Sequence, residues 1–283
     1  MIRVIFAFLL AALPLSAQTS SLQGAITDAQ GAAVPDAIVT VKNLNTAAER
    51  KTLTSTIGEY SMLQLPPGGY TLTIEKPGFR THKGDIVLQV NTPATINIQL
   101  ELGQVTGMVS VNAEVSTVNT ENAAVGNPFN ETQVKEIPLQ TRNVVGLLGI
   151  QAGVAPTGQV VGARSDQNNV LLDGVDVNDN FGANGFNAVI PIPLDSVQEF
   201  RTTIAGLGAD MGHSAGGQVS VVTKGGSNSF HGSLYEYNRN TLTSANNWFS
   251  NRSGVPRAAL VRNQYGGSLG GPILKNKLFF FYN

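Results

Sequence analysis

Turn-forming residues interrupt the stretch from Leu22 to Leu102 so often that only short β-strands fit between them. The breaks are an Asp28-Ala29-Gln30-Gly31 turn, then Gly58, Pro66-Pro67-Gly68-Gly69 and Pro77-Gly78. They leave strand segments at Leu22 to Thr27, Ala37 to Lys42, Glu59 to Leu65, Tyr70 to Glu75, Asp85 to Val90 and Ala94 to Leu100. Within the second of these, Ala37, Val39 and Val41 share one side and Ile38 and Thr40 the other, the period of a half-buried strand. Short strands at this spacing predict a two-sheet sandwich. At ~80 residues it is just large enough to bury a core of its own. Glycine at 31 of 283 residues, with 13% charged side chains, favours turn-rich β structure over helical bundles along the whole chain.

What precedes residue 18 has a different character. Arg3 stands ahead of a short apolar run, Val4 to Leu13, which breaks at Pro14, and Leu15-Ser16-Ala17 places a small residue before Gln18. This is the pattern of a cleaved secretory leader, and the run is too short for the ~20 apolar residues of a bilayer span. Residues 1–17 are therefore expected to be removed, leaving Gln18 as mature residue one. No later segment is long and apolar enough for a transmembrane helix, so any further encounter with a membrane must use strands of a barrel. Cysteine is absent, which excludes disulfides and thiolate metal sites. With 18 basic and 19 acidic side chains the net charge is −1, and no electrostatic footprint for nucleic acid exists. The length suggests about two domains.

Residues 103–127 lose the turn rhythm and read as an extended linker. Inside it, Val105, Thr106, Gly107, Met108, Val109, Ser110 and Val111 form an uncharged, β-prone heptapeptide. Such a segment can add as a strand to the sheet edge of a partner; alternatively, Met108 to Val111 is the last strand of the sandwich. Residues 128–228 mix element types. Thr141-Arg142-Asn143 can cap a short helix whose Val144, Val145, Leu147 and Leu148 form an apolar face, with Gly153 as its stop. Asn169 to Leu172 reads as a buried strand with an Asp173-Gly174 turn. Val197 to Arg201 alternates. After Gly206, Gly208, Gly212, Gly216 and Gly217 comes another alternating strand, Gln218 to Lys224, with Val219, Val221 and Thr223 on one face.

Several chemical readings fail on spacing. The glycines from Gly206 to Gly212 have neither the dinucleotide-binding pattern nor a Gly-Lys-Ser/Thr ending. Asp173, Asp176, Asn178, Asp179 and Asn180 are dense in oxygen ligands, but an EF-hand would need Gly at Phe181 and Glu at Asn187. His82, His213 and His231 lie outside any zinc spacing. No nucleophile signature accompanies the serines. No catalytic residue, cofactor site or metal site is expected.

Residues 229–283 change again. Phe230 to Asn238 is strand-like, and Thr241 to Ala259 is a polar loop. Tyr265, Gly267 and Leu269 then oppose Gln264, Gly266, Ser268 and Gly270, the dyad repeat of a transmembrane barrel strand. Leu278 to Tyr282 opens a further strand rich in the aromatics that belt membrane interfaces.

Two resemblances accompany these readings. Gly24-x-x-x-Asp28-x-x-Gly31-x-x-Val34-Pro35-x-Ala37, Gly58-Glu59-Tyr60, Leu65-Pro66-Pro67-Gly68-Gly69-Tyr70 and Pro77-Gly78-Phe79 resemble the carboxypeptidase-regulatory-like domain, a transthyretin-like sandwich without peptidase chemistry of its own. Ile137-Pro138-Leu139 with Arg142-Asn143, Leu171-Leu172-Asp173-Gly174-Val175 and Ser196 to Arg201 with its Glu199 resemble the plug of TonB-dependent receptors. So does the run from Gly212 through Gly216-Gly217 to Val222-Thr223-Lys224, in particular in the Oar-like group. Gly270 to Phe279 resembles that family's early-barrel motif. The resemblance implies a mainly β chain: leader 1–17, sandwich 18–102, linker 103–127 with the contact strand for a periplasmic TonB-type protein at Val105 to Val111, α+β plug 128–228, and the start of a barrel from 229. It also implies an outer-membrane location in a Gram-negative-type bacterium, an extracellular ligand of unknown class, and no enzyme activity. Such barrels use ~22 strands of roughly ten residues. The residues after 228 are far too few, so the sequence is expected to be a fragment that cannot transport alone. The competing reading is a carbohydrate- or protein-binding adhesion module, although the lone Trp248 lies outside the sandwich.

Overall fold

The computed structural model describes residues 18–103, 109–110, 123–137, 139, 142–155, 158–179, 188–208 and 215–283. The chain is mainly β and forms two compact units that divide between Lys224 and Gly225.

The sandwich is built from two sheets. In the first, β1 (Ser20–Asp28) pairs antiparallel with β4 (Glu59–Leu65) on one side. On its other side it pairs in parallel with β7 (Pro93–Thr95) and then β8 (Ile98–Leu100). In the second, the order is β3 (Glu49–Leu53), β2 (Ile38–Asn43), β5 (Gly68–Glu75), β6 (His82–Leu88) and β9 (Val109–Ser110). Alternate residues of facing strands make the core, with Leu22, Ile26, Val39, Val41, Leu72, Ile74 and Leu88 fully buried. The alternation expected of Ala37, Val39 and Val41 is the one observed.

Three differences from the sequence reading have physical causes. Strand β3 has no buried face, because it is the charged edge of its sheet, held by β2 and a Lys42–Glu49 ion pair of 3.3 Å; it therefore shows no alternation. The stretch read as one strand from Ala94 to Leu100 is two, interrupted where the Ile96 carbonyl turns aside to accept from the Tyr60 hydroxyl at 2.9 Å. The strand read at Asp85 to Val90 begins earlier, at His82, and ends at Leu88, freeing Gln89 to Thr92 for a turn.

The second domain of this unit is a mixed sheet in the order β10 (Val125–Asn130), β13 (Val197–Ala205), β14 (Gln218–Thr223), β11 (Asn169–Leu172), β12 (Val175–Asp176). Only β11 and β14 run parallel. Pairing begins at Val125, within the stretch read as linker. It leads into α1 (Glu131–Glu136), which the sequence reading missed although its capping box is legible: the Asn130 side chain accepts from Gln133 N–H at 2.9 Å, and the Gln133 side chain accepts from Asn130 N–H at 3.0 Å. The helix expected after Arg142-Asn143 is present as a 3-10 helix, Val144–Ile150, with all four of its predicted apolar residues buried. It packs with Val170, Leu194, Val197, Phe200, Val219 and Val221 into a second core. Asp173 and Gly174 both have positive φ, 48° and 85°, and turn β11 into β12 as a two-residue hairpin loop.

The second unit is an antiparallel meander of β15 (His231–Asn240), β16 (Val261–Leu274) and β17 (Leu278–Tyr282). The polar stretch between β15 and β16 holds one short helix, α2 (Trp248–Arg252), where only a loop was expected.

Candidate functional site

The two central strands of the mixed sheet are buried on both faces, unlike a sheet with one side in water. One face carries Phe200, Val219 and Val221 into the apolar core. On the other, the register places Arg201 opposite Ser220 and Thr203 opposite Gln218, with Glu199 next in line, all buried. What covers this polar face is the turn between β6 and β7 of the sandwich. The Val90 N–H donates to Glu199 Oε1 at 2.9 Å, and the Asn91 side-chain amide donates to Ser220 Oγ at 3.0 Å. The Arg201 guanidinium meets the Thr92 hydroxyl. The turn is itself tied down, because Ser20 Oγ donates to the Thr92 carbonyl at 2.6 Å and Asn91 N–H to the Thr19 carbonyl at 3.3 Å. Glu199 and Arg201 stand in the motif Ser196 to Arg201 and Ser220 in the strand Gln218 to Lys224, whereas Val90, Asn91 and Thr92 belong to no motif of the site.

Burial dominates the electrostatics of this joint. It pushes the Glu199 carboxyl up to about 7, against the opposing pull of the Val90 N–H and the Arg201 charge. It lowers Arg201, with Glu199 opposing. Because the folded carboxyl binds its proton more tightly than the unfolded one near 4.5, the folded state carries more protons between those values and stability falls as pH rises through them. The contribution is complete below the unfolded value and is lost above about 7. The two protonation states differ by at most about 3 kcal/mol. A chain spanning residues 18–224 is therefore expected to unfold more readily at pH 8 than at pH 5. Glu199→Gln, which keeps an acceptor for Val90, flattens that dependence. Denaturant midpoints at the two pH values check this, and parallel curves for the two proteins would place the titration elsewhere.

The other motif residues gather at the ends of β14. At one end the Asp173 carboxylate accepts from Thr223 N–H at 2.9 Å and from its hydroxyl at 2.7 Å. Lys224 ion-pairs with Glu131 at 2.9 Å and donates to the Asp195 carbonyl at 2.8 Å. At the other end, Gly217 N–H donates to Asn168 Oδ1 at 2.9 Å. A Cβ on Gly216 would lie 2.4 Å from that oxygen, and one on Gly217 2.9 Å from Val160. Asn143 caps the 3-10 helix by accepting from Val145 N–H at 3.3 Å, and Arg142 precedes it at φ 53°. Gly212 lies outside the described residues, as do Val105, Thr106, Gly107, Met108 and Val111 of the heptapeptide. Its Val109 and Ser110 are β9 and pair in parallel with His82 and Lys83, the placement the alternative reading of that segment required.

Three of the oxygen-bearing side chains near Asp173 have partners of their own, and Asn180 lies outside the described residues. Asp173 holds Thr223, Asp176 accepts from Asn178 N–H at 2.9 Å, and Asn178 Oδ1 accepts from Val170 N–H at 2.8 Å. Among the described residues no three His, Asp or Glu side chains are grouped to hold a metal. A cleft of about 300 Å³ at one end of the sandwich is lined by Leu72, Arg80, His82, Ile86, Ile98 and Leu100 among others, and by no Trp, Tyr or Phe among the described residues.

The meander segregates its side chains by face. The register aligns Leu234 with Gly267, Glu236 with Tyr265, and Leu269 with Tyr282. Leu234 is 93% and Tyr265 80% exposed, on a face that turns from apolar at Leu234, Leu269 and Tyr282 to polar at Glu236, Asn238 and Asn263. The opposite face pairs Ser233 with Ser268, whose hydroxyls lie 3.0 Å apart, and stacks Tyr235 on Tyr237 at 5.4 Å.

Comparison with known proteins agrees with this architecture. Residues 21–101 match the carboxypeptidase regulatory-like domain family, and residues 222–283 match the outer membrane beta barrel domain family. The chain is 30% identical over 285 residues to the TonB-dependent transporter Oar of Myxococcus xanthus. That match covers 94% of this chain and 26% of the relative, so the chain spans about a quarter of the relative's length. Among solved structures, the siderophore receptor PirA from Acinetobacter baumannii aligns at 16% identity over 55% of this chain and 23% of its own, with a TM-score of 0.38. Catechol 1,2 dioxygenase from Acinetobacter radioresistens aligns at 15% identity over 35% of this chain and 56% of its own, with a TM-score of 0.27. The family matches and the relative agree: the chain is similar along 94% of its length to a TonB-dependent transporter, and it carries a carboxypeptidase regulatory-like domain at residues 21–101 and an outer membrane beta barrel domain match at residues 222–283.

Proposed function

We propose that the chain supplies the periplasm-facing and gating parts of a TonB-dependent outer-membrane receptor that is not an enzyme. In this reading residues 1–17 are an export leader, 18–102 the regulatory-like sandwich, and 103–127 a linker. Residues 128–228 are the plug, and 229–283 open the barrel that encloses it. The observation that carries it is the likeness to a TonB-dependent transporter along 94% of the chain. The meander adds support, since exposed Leu234, Tyr265, Leu269 and Tyr282 on one face, backed by the Ser233–Ser268 pair on the other, suit a barrel wall between lipid and lumen.

The linker strand Val105 to Val111 is the contact for the periplasmic TonB-type protein. Two of its residues, Val109 and Ser110, pair with the β6 edge. So short a ladder is worth little, a net ~1 kcal/mol per hydrogen bond, and a partner strand can displace it by adding to the same segment. An extracellular ligand would act by changing the plug, and energy from the inner membrane would then be drawn through this strand. In the full-length receptor, deletion of residues 105–111 is expected to abolish retention on an immobilised TonB-type periplasmic domain. Its yield in the outer-membrane fraction should stay the same. Unchanged retention would move the contact elsewhere in the chain.

A further inference from the structure

Gln18 is 7% exposed, yet its side-chain Nε2 and Oε1 are both buried with no hydrogen-bond partner among the described residues. It sits at the head of β1, directly before Thr19, whose carbonyl is held by the Asn91 N–H, and Ser20, whose hydroxyl is held by the Thr92 carbonyl. Those two bonds fix the start of the strand against the turn that also covers the mixed sheet. A buried primary amide with neither end satisfied is costly, about 1–3 kcal/mol for each unmet group. Such groups are uncommon in folded proteins.

The export reading sharpens the problem. Cleavage after Ala17 makes Gln18 the mature N-terminus, so a positively charged α-ammonium would stand on the same residue as the buried, unpartnered amide. A buried unpaired charge costs more again. Glutamine at an N-terminus has a chemical way out that no internal glutamine has. Its α-amine lies within reach of its own Cδ, and ring closure forms a five-membered lactam.

We propose that Gln18 is a modification site, converted after leader removal to N-terminal pyroglutamate; this rests on the export reading given above. The unprotonated α-nitrogen attacks Cδ, the N–Cδ bond forms, and the Cδ–Nε2 bond breaks. Nε2 leaves as ammonia with the proton lost from the α-nitrogen, and no oxidant or reductant takes part. The product is neutral. It has lost the NH2 donor pair and the ammonium, and keeps one N–H and one ring carbonyl. Burial then favours the product over the precursor by removing the charge. The finished terminus offers no free amine to aminopeptidases.

The test uses the full-length receptor recovered from outer membranes. Free amines are reductively dimethylated before digestion, so that rings formed during preparation are distinguished from rings already present. The expected N-terminal peptide begins at residue 18, carries no label on its terminus, and is lighter than the encoded peptide by the mass of ammonia, about 17 Da. A dimethylated, full-mass peptide beginning at Gln18 would overturn the modification while leaving leader cleavage intact. A mature terminus at any other residue would remove the cleavage reading and the modification together.

Discussion

Phe200→Ala is expected to cost the mixed-sheet domain about 3–5 kcal/mol, the range for truncating a large aromatic in a close-packed core. Phe200 is fully buried on the second-central strand β13. It packs against Phe129 of β10 with ring centroids 5.8 Å apart and lies in register with Val221 of β14. One ring thus serves both neighbouring strands. The cavity left by alanine cannot be filled from the opposite face, where Glu199 and Arg201 are held by the sandwich. Denaturant unfolding of residues 18–224 measures the loss, and Phe200→Leu should recover a large part of it. A cost below about 1 kcal/mol would mean that the domain collapses around the gap, the route by which large truncations become tolerable.

Gly24→Ala should be comparably severe in the sandwich, at about 3 kcal/mol or more, for a reason of space rather than lost contact. Gly24 lies where β1 passes from β7 to β8 as its parallel partner. A Cβ there would lie 1.8 Å from the Ile96 carbonyl oxygen and 2.6 Å from its carbon. The obstacle is backbone, which cannot swing aside as a side-chain tip can. Making room means breaking the bond from Ile96 N–H to the Gln23 carbonyl at 2.8 Å, and that from the Tyr60 hydroxyl to the Ile96 carbonyl at 2.9 Å. Tyr60 is buried, and burial raises its phenol well above the ordinary value, so a displaced hydroxyl stays protonated and unmet. The lone tryptophan is Trp248, outside this domain. Near-ultraviolet circular dichroism of residues 18–102 therefore reports its tyrosines directly. Loss of that signal at 25 °C is expected, whereas a melting curve matching the parent would show that β1 can shift without penalty.

What could be read beforehand followed from burial on one face. Strands β4, β11 and β17 fall where their alternation or apolar run placed them, and Asp173-Gly174 turns as that pair should. Strand β3 could not be read in this way, since a charged edge has no inner face to mark it. The joint was hidden for the opposite reason. Glu199 and Arg201 alternate with apolar neighbours as though they faced water, and a period of two cannot tell a solvated face from one covered by another domain. Likewise the Asp173 turn was legible, but its hold on Thr223 was not, because that partner lies 50 residues away. The short helix α1 was within reach, its Asn130-x-x-Gln133 pattern having been passed over.

The place of β14 also dictates a sequence of events during folding. It is the last strand of the mixed sheet to emerge, yet it sits between β13 and β11 and pairs with both. Until it arrives, those two strands have no shared neighbour and their inner edges stand open, whereas the sandwich can mature early from residues that precede β14 in the chain, as leading domains commonly do. Ser220 belongs to this late strand, so its bond to Asn91 cannot form before then. A truncation short of residue 218 would therefore leave a finished first domain tethered to sticky, half-built β structure. That intermediate, more than either completed unit, is the species a holding chaperone would have to shield.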